Sequence, residues 1–109
     1  MIQELENALD TLAERQRVVA RNLSNVNTPG YTRSDIDFFS HMREVFAGKE
    51  PKVEATPDTE TPVRLDGNNV TLEREMFALN QSEVMYQVAS RFATGAMQRM
   101  RYAVTEGRG

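Results

Sequence analysis

The chain has 109 residues, of which 39% are hydrophobic and 27% charged, with a formal net charge of -3 at pH 7. That length supports a single domain, and the composition lies near globular averages. The acidic balance excludes a binder built on neutralising nucleic-acid phosphates, and the absence of cysteine excludes thiolate zinc sites and disulfides.

The N-terminus reads Met-Ile-Gln-Glu-Leu-Glu, acidic where a secretory signal carries positive charge, and no apolar h-region follows. No run approaches the roughly 20 apolar residues of a membrane span. The expectation is a chain with neither a cleaved signal nor a direct membrane span. From Ile2 the apolar positions Leu5, Leu9, Leu12, Val19, Leu23 and Val26, with Gln16 in line, recur in steps of three and four. That spacing predicts a helix over 2–27 with a heptad seam, about 40 Å long, which expects a second helix along it. Gln16 in the seam either fixes register or marks a place where the seam meets water.

Asn22-Leu-Ser-Asn-Val-Asn-Thr-Pro-Gly-Tyr31 closes this helix. Pro29 disfavours the α region at Thr28, and Pro29-Gly30 fits the two centre positions of a type II turn, with glycine supplying the positive φ. Asn25 and Asn27 tolerate left-handed backbone and can bond the local main chain. The stretch reads equally as a well-formed helix end and as a recognition corner.

Residues 28–48 hold this turn and a short amphipathic helix carrying Phe38, Phe39, Met42, Val45 and Phe46, with Ser34 as a candidate cap and Gly48 as the stop. The segment 49–65, with prolines at 51, 57 and 62 and few apolar residues, predicts an extended or disordered connection. Asp66-Gly67-Asn68-Asn69 is a turn cluster, with Asn69 or Thr71 as N-cap of a second long helix over 69–105. Glu73 and Glu75 suit its positive end.

One stripe on that helix is Leu72, Met76, Leu79, Tyr86, Ala89, Ala93, Ala96, Met97, Met100 and Val104. A second, Phe77, Val84, Val88 and Phe92, lies on another face. A two-helix layer has no material to cover both, so either neighbouring molecules do so or the Phe38 to Phe46 helix folds back over Phe77 and Phe92. Gly95, costly inside a helix, suggests close approach of another backbone or a tolerated imperfection. Arg91, Arg99, Arg101 and Arg108 read as a solvated face complementing the helix dipole.

The fold class expected is mainly α: two long terminal helices paired as a coiled-coil-like hairpin, a short middle helix and a flexible proline-rich connection. No constellation of acid, base, nucleophile or metal ligand stands out, and His41, the one histidine, reads as a surface or packing residue. No catalytic, cofactor or metal site is expected.

The stretch from Ala20 to Phe38, with Thr28-Pro-Gly-Tyr31 followed by Asp35-Ile-Asp-Phe38, resembles the N-terminal signature of the bacterial flagellar rod, hook and hook-associated proteins. Asp66-Gly-Asn-Asn-Val-Thr-Leu-Glu-Arg-Glu-Met76, with Asn80 and Tyr86, is similar to the C-terminal signature of the proximal rod members. Only about 40 residues separate Pro29 from Asn69, which leaves no room for the β-rich insertion of distal rod and hook proteins. The resemblance implies a subunit exported through the flagellar apparatus and packed, through its two helices, against copies of itself, other axial rod proteins and the basal-body base. Another axial rod protein or a small helical adaptor remain the alternatives.

Overall fold

The computed structural model describes residues 1–107; Arg108 lies outside them. Along the chain run α1 (Ile2–Ser24), β1 (Ser34–Asp35), α2 (Phe38–Phe46), β2 (Thr56–Pro57) and α3 (Leu72–Gly107). The two strands pair antiparallel, Ser34 with Pro57 and Asp35 with Thr56. The body measures 69 × 25 × 13 Å and is organised around α1, which packs on α3, α2 and β1.

α1 and α3 form an antiparallel hairpin. Asn22 meets Glu75, Arg15 meets Ser82, and Met1 and Ile2 reach Ala96 and Met100. The 36 residues of α3 span about 54 Å at 1.5 Å per residue, so its last three turns project roughly 16 Å past the start of α1.

The pairing seam differs from the one the periodicity suggests. On α1 the covered strip is Ala8, Thr11, Leu12, Val18, Val19 and Asn22, while Leu5, Leu9, Gln16 and Leu23 are only half-buried along one edge, as is Val26 in the turn beyond. On α3 the covered residues are the small or polar Glu75, Ala78, Ser82 and Ala96, with Leu79, Ala89 and Ala93 half-covered. Leu72, Met76, Tyr86, Met97 and Met100 stay exposed. Small side chains on the α3 face that meets α1 take the covered places and leave Leu72 and Met76 on a flank, whereas Met97 and Met100 stand where α1 begins and are exposed because it covers them no further. At about 100° per residue, the Phe77/Val84/Val88/Phe92 stripe and the Leu72/Met76/Met97 stripe lie on roughly opposite flanks of α3. α1 sits between them on one side and a polar strip on the other.

α2 does not fold back over the second stripe. Phe38 joins Leu5, Leu12, Val84, Val88 and Phe92 around an apolar groove of about 300 Å3, but Phe77 and Phe92 remain 68% and 63% exposed.

Several local expectations are revised. α2 is capped by Asp37, whose carboxylate accepts from the Ser40 N–H at 3.1 Å, and not by Ser34, which lies in β1. α3 begins at Leu72, three residues after Asn69; the Glu75 N–H donates to the Thr71 carbonyl at 3.1 Å, and the Asn69 side chain is employed elsewhere. α1 ends three residues earlier than expected, and no asparagine turns left-handed: Asn25 has φ -110° and closes the helix by donating its Nδ2 to the Arg21 carbonyl at 2.8 Å. Gly95 is approached by no other backbone; a Cβ there would meet only the Arg99 side chain, at 3.5 Å. The 49–65 connection is extended but tethered, through β2 and the contacts described below.

A compact protein of this mass exposes about 6,100 Å2 and has a radius of gyration near 13 Å. This one exposes 7726 Å2 with a radius of 17.9 Å. Its core is small and half polar: beside Leu12, Val18, Val19, Ile36, Met42 and Val70, it buries Asn22, Arg33, His41, Asn68, Asn69 and Glu75.

Candidate functional site

The two signature stretches, 22–31 and 66–69, fold onto each other at the end of the hairpin where α1 finishes and α3 begins. The first is a type II turn. Tyr31 N–H donates to the Thr28 carbonyl at 3.3 Å and Gly30 has φ +76°, the conformation that glycine adopts without steric cost at the third turn position. The second turn places Gly67 at φ +81°. A Cβ on Gly67 would stand 3.3 Å from the Gly30 Cα, so the two turns touch backbone to backbone. Gly30 N–H donates to the Asp66 carbonyl at 2.8 Å.

Asn68 fastens the contact. Fully buried, its Nδ2 donates to the carbonyls of Asn25 and Thr28 at 2.8 Å each and of Val26 at 3.2 Å, tying down the turn that follows α1. The Arg64 guanidinium donates to the Val26 carbonyl at 2.6 Å, a cation where the helix dipole favours one. Thr28 and Asn25 bond through their side chains at 3.1 Å. Pro29 is exposed and acts through its fixed φ. All nine residues of the two turn motifs thus converge on one corner.

Gly30→Val should strain this corner, since a β-branched residue at positive φ costs about 1 to 3 kcal/mol. The expected outcome is a melting temperature several degrees lower, read by circular dichroism. An unchanged melt means that the turn can relax to negative φ.

Behind the turns lies a buried polar cluster that the sequence did not reveal. Asn22 acts as a side-chain rung for β1: its Nδ2 donates to the Ser34 carbonyl at 2.7 Å and to Glu75 Oε2 at 3.1 Å, while its Oδ1 accepts from Ser34 N–H and the Tyr31 hydroxyl, both at 3.1 Å. Arg33, only 2% exposed, pairs with the fully buried Glu75 through Nε, with Asp58 through Nη1 at 3.0 Å and with Asp35 through Nη2 at 3.4 Å. Arg15 binds Asp35 at 3.0 Å and reaches across to Gln81 and Ser82 on α3. Asn69 accepts from Arg33 N–H at 2.7 Å and donates to the Asp58 carbonyl at 2.8 Å. Three carboxylates therefore face Arg15, Arg33 and Arg74, the last 3.4 Å from Asp58. This near balance lets charge be buried.

The signal that could have exposed the cluster is positional. Asn22 lies in the covered strip of α1 with the half-buried Arg15 at its margin, and Glu75 and Ser82 lie in the covered strip of α3. Polar residues in line on two facing helices imply that they meet.

Asp58 anchors the connection. Its carboxylate accepts from the Thr61 hydroxyl at 2.6 Å, the Thr61 N–H at 3.1 Å and the Glu60 N–H at 3.0 Å. These bonds, with Arg33 beside it, hold its carboxyl well below the usual titration range of a carboxylate. A depressed carboxyl stabilises the fold above its unfolded value, near 3.9, and loses that contribution as pH falls toward the folded value. The melting temperature should therefore be level from neutrality to about pH 5 and drop below about pH 4, with Asp58→Asn flattening the drop. A wild-type melt that stays level in acid contradicts the anchoring.

The one histidine is also engaged structurally. His41, buried on α2, has its Nε2 2.9 Å from Asn7 Oδ1 on α1. Among the described residues no group of histidines and carboxylates is arranged to hold a metal, and none of the helices is long and apolar enough to cross a membrane.

Comparison with known proteins meets this geometry at the same places. A family model described as flagella basal body rod protein matches residues 2–32, which is α1 with the first turn. Relatives extend over the whole architecture. The flagellar basal body rod protein FlgB of Escherichia coli K12 is 30% identical over 94% of this chain and 91% of its own length. The Bacillus subtilis 168 FlgB is 26% identical over 98% of this chain and 95% of its own. The Borreliella burgdorferi FlgB is 27% identical, covering 73% of this chain and 77% of its own. A two-helix hairpin closed by paired signature turns, matched almost end to end, belongs to the FlgB family of flagellar basal body rod proteins.

Proposed function

We propose that this chain is a structural subunit of the flagellar basal body that polymerises in the proximal rod, its long helices packing against copies of itself and against other axial rod proteins. The observation that carries the reading is the surface left over. The chain exposes about 1,600 Å2 more than a compact protein of its mass, and two opposite flanks of α3 are apolar. Neighbours on both sides are what such a shape requires, as a stave requires staves. The corner fixes the angle between helix and turn, and its carboxylates are occupied by arginines, which suits a structural part better than a catalytic one.

The subunit-packing set is the half-covered edge of α1 (Leu5, Leu9, Gln16, Leu23) with the exposed residues of α3 (Leu72, Met76, Tyr86, Met97, Met100). Leu12, Val19, Leu79 and Ala93 support that edge from within the hairpin, and Val26 from the turn. The small core also suits passage through the flagellar export apparatus, because a chain with few buried apolar residues unfolds at modest cost. Delivery to the periplasmic rod and docking on the basal-body base complete the reading.

The test is complementation of a strain lacking its own FlgB. The wild-type chain should restore swimming and Leu9→Asp should not, although both accumulate as folded protein. Restoration by Leu9→Asp removes the α1 edge from the contact.

A further inference from the structure

The corner is built on a chemically reactive pair of residues. Of the six glycines in the sequence, Gly67 alone follows an aspartate or an asparagine. It stands at φ +81°, and a Cβ there would meet the Gly30 Cα at 3.3 Å, so glycine is the residue that fits. Asp66 before it supplies a carboxylate that accepts from the Asn68 N–H at 3.0 Å and a carbonyl that accepts from the Gly30 N–H at 2.8 Å. The closing of the two turns thus employs both members of an Asp-Gly pair.

In such a pair the chain can attack itself. The Gly67 nitrogen, unhindered by a side chain, gives up its proton and bonds to the Asp66 Cγ; that proton leaves with the carboxyl OH as water, and a five-membered succinimide closes. Water then opens the ring at either carbonyl. Cleavage at Cγ restores aspartate, whereas cleavage at the α-carbonyl leaves Gly67 joined through the former side chain, an isoaspartate of unchanged mass. The folded corner opposes the first step. Gly67 N–H is engaged with the Arg64 carbonyl at 2.9 Å, and Asn68 and Gly30 hold the two Asp66 oxygens named above. Bringing the nitrogen onto Cγ means breaking these bonds.

We propose that Asp66-Gly67 is a site of spontaneous aspartate isomerisation, open to it in the unfolded chain and closed by the folded corner, and that the isomerised chain cannot rebuild that corner. An isoaspartate routes the main chain through Cβ and lengthens it by one atom. The added atom falls inside the loop that Arg64 N–H closes by donating to the Asn68 carbonyl at 2.9 Å. Lengthening that loop displaces Asn68, whose Nδ2 is fixed by three carbonyls of the first turn. The peptide carbonyl that Gly30 N–H uses is lost as well, because it becomes a free carboxylate. The inference rests on the corner alone and is independent of the rod reading.

The wild-type chain is held at neutral pH and constant temperature, either folded in buffer or unfolded in guanidinium chloride, and its tryptic peptide Leu65–Arg74 is followed by chromatography and mass spectrometry. In the unfolded chain a second form of the peptide, equal in mass, should grow in through an intermediate lighter by one water. In the folded chain it should form at least about tenfold more slowly, since ring closure waits for local opening. No isomer from the unfolded chain overturns the site, and equal rates overturn its protection. After return to buffer, the isomer should be scarcer in the protein that survives brief chymotrypsin treatment than in the whole sample. Equal shares would mean that the corner rebuilds around isoaspartate. Asp66→Glu, which must close a larger ring, should keep its own starting yield of refolding through the same exposure while the wild type declines; a parallel decline places the damage elsewhere and overturns the assignment.

Discussion

Glu75→Ala should destabilise the protein by about 3 to 5 kcal/mol, the cost of leaving a buried charge without its partner. Arg33 would lose its Nε acceptor while remaining 2% exposed, and Asn22 would lose one of its two Nδ2 acceptors. Domains of this size have total stabilities of about 5 to 15 kcal/mol, so the loss is a large part of the whole. Glu75→Gln keeps an oxygen for Arg33 and should cost clearly less. Urea denaturation followed by circular dichroism separates the two. Equal midpoints for Glu75→Ala and wild type would mean that water reaches Arg33 and that the cluster is not a closed unit.

The second large effect is on assembly and spares the fold. Met76 is half exposed on the flank of α3, where a substitution changes monomer stability by no more than about 0.5 kcal/mol. Met76→Asp should therefore melt like the wild type. In a rod wall the same carboxylate would be buried without a partner, at several kcal/mol per contact, and repetition along the assembly multiplies the effect. Cells carrying Met76→Asp should fail to swim and should contain no rods by electron microscopy of basal bodies. Swimming cells would remove that flank from the contact.

The contrast between these variants follows from how the chain divides its residues. The features legible in the sequence are those written in local chemistry. The heptad spacing of α1, the type II turn at Pro29-Gly30 and the turn at Asp66-Gly67 each depend on a few adjacent residues whose backbone preferences are strong. The order of helices and the absence of room for an inserted domain follow from spacing alone. The meeting of the two signature turns depends on Gly67 standing 3.3 Å from Gly30, a tertiary fact that neither turn announces.

The choice of pairing face was not legible, for a physical reason. Hydrophobic periodicity locates every apolar stripe on a helix but does not say which one a partner in the same chain will cover. In α3 the small residues Ala78, Ser82 and Ala96 take that place, and the larger Leu72, Met76 and Met97 stay exposed. In a soluble monomer the largest apolar side chains would have gone inside. Arg33 and Asp58 read alone as ordinary surface charges and Glu75 as a residue at the positive end of its helix, and only the fold puts them within reach of one another. The same cluster explains why the proline-rich connection is tethered: Asp58 binds Arg33 at 3.0 Å while its own carbonyl is held by Asn69.

The central claim is that the monomer is incomplete and becomes fully ordered by covering its flanks with copies. Sedimentation of the purified chain over a concentration series, with helicity recorded on the same samples, tests it most directly. The account predicts that mass and helicity rise together, and that Met76→Asp suppresses both rises without changing the dilute sample. A monomer of constant mass, fully helical and melting sharply at every concentration, would contradict it.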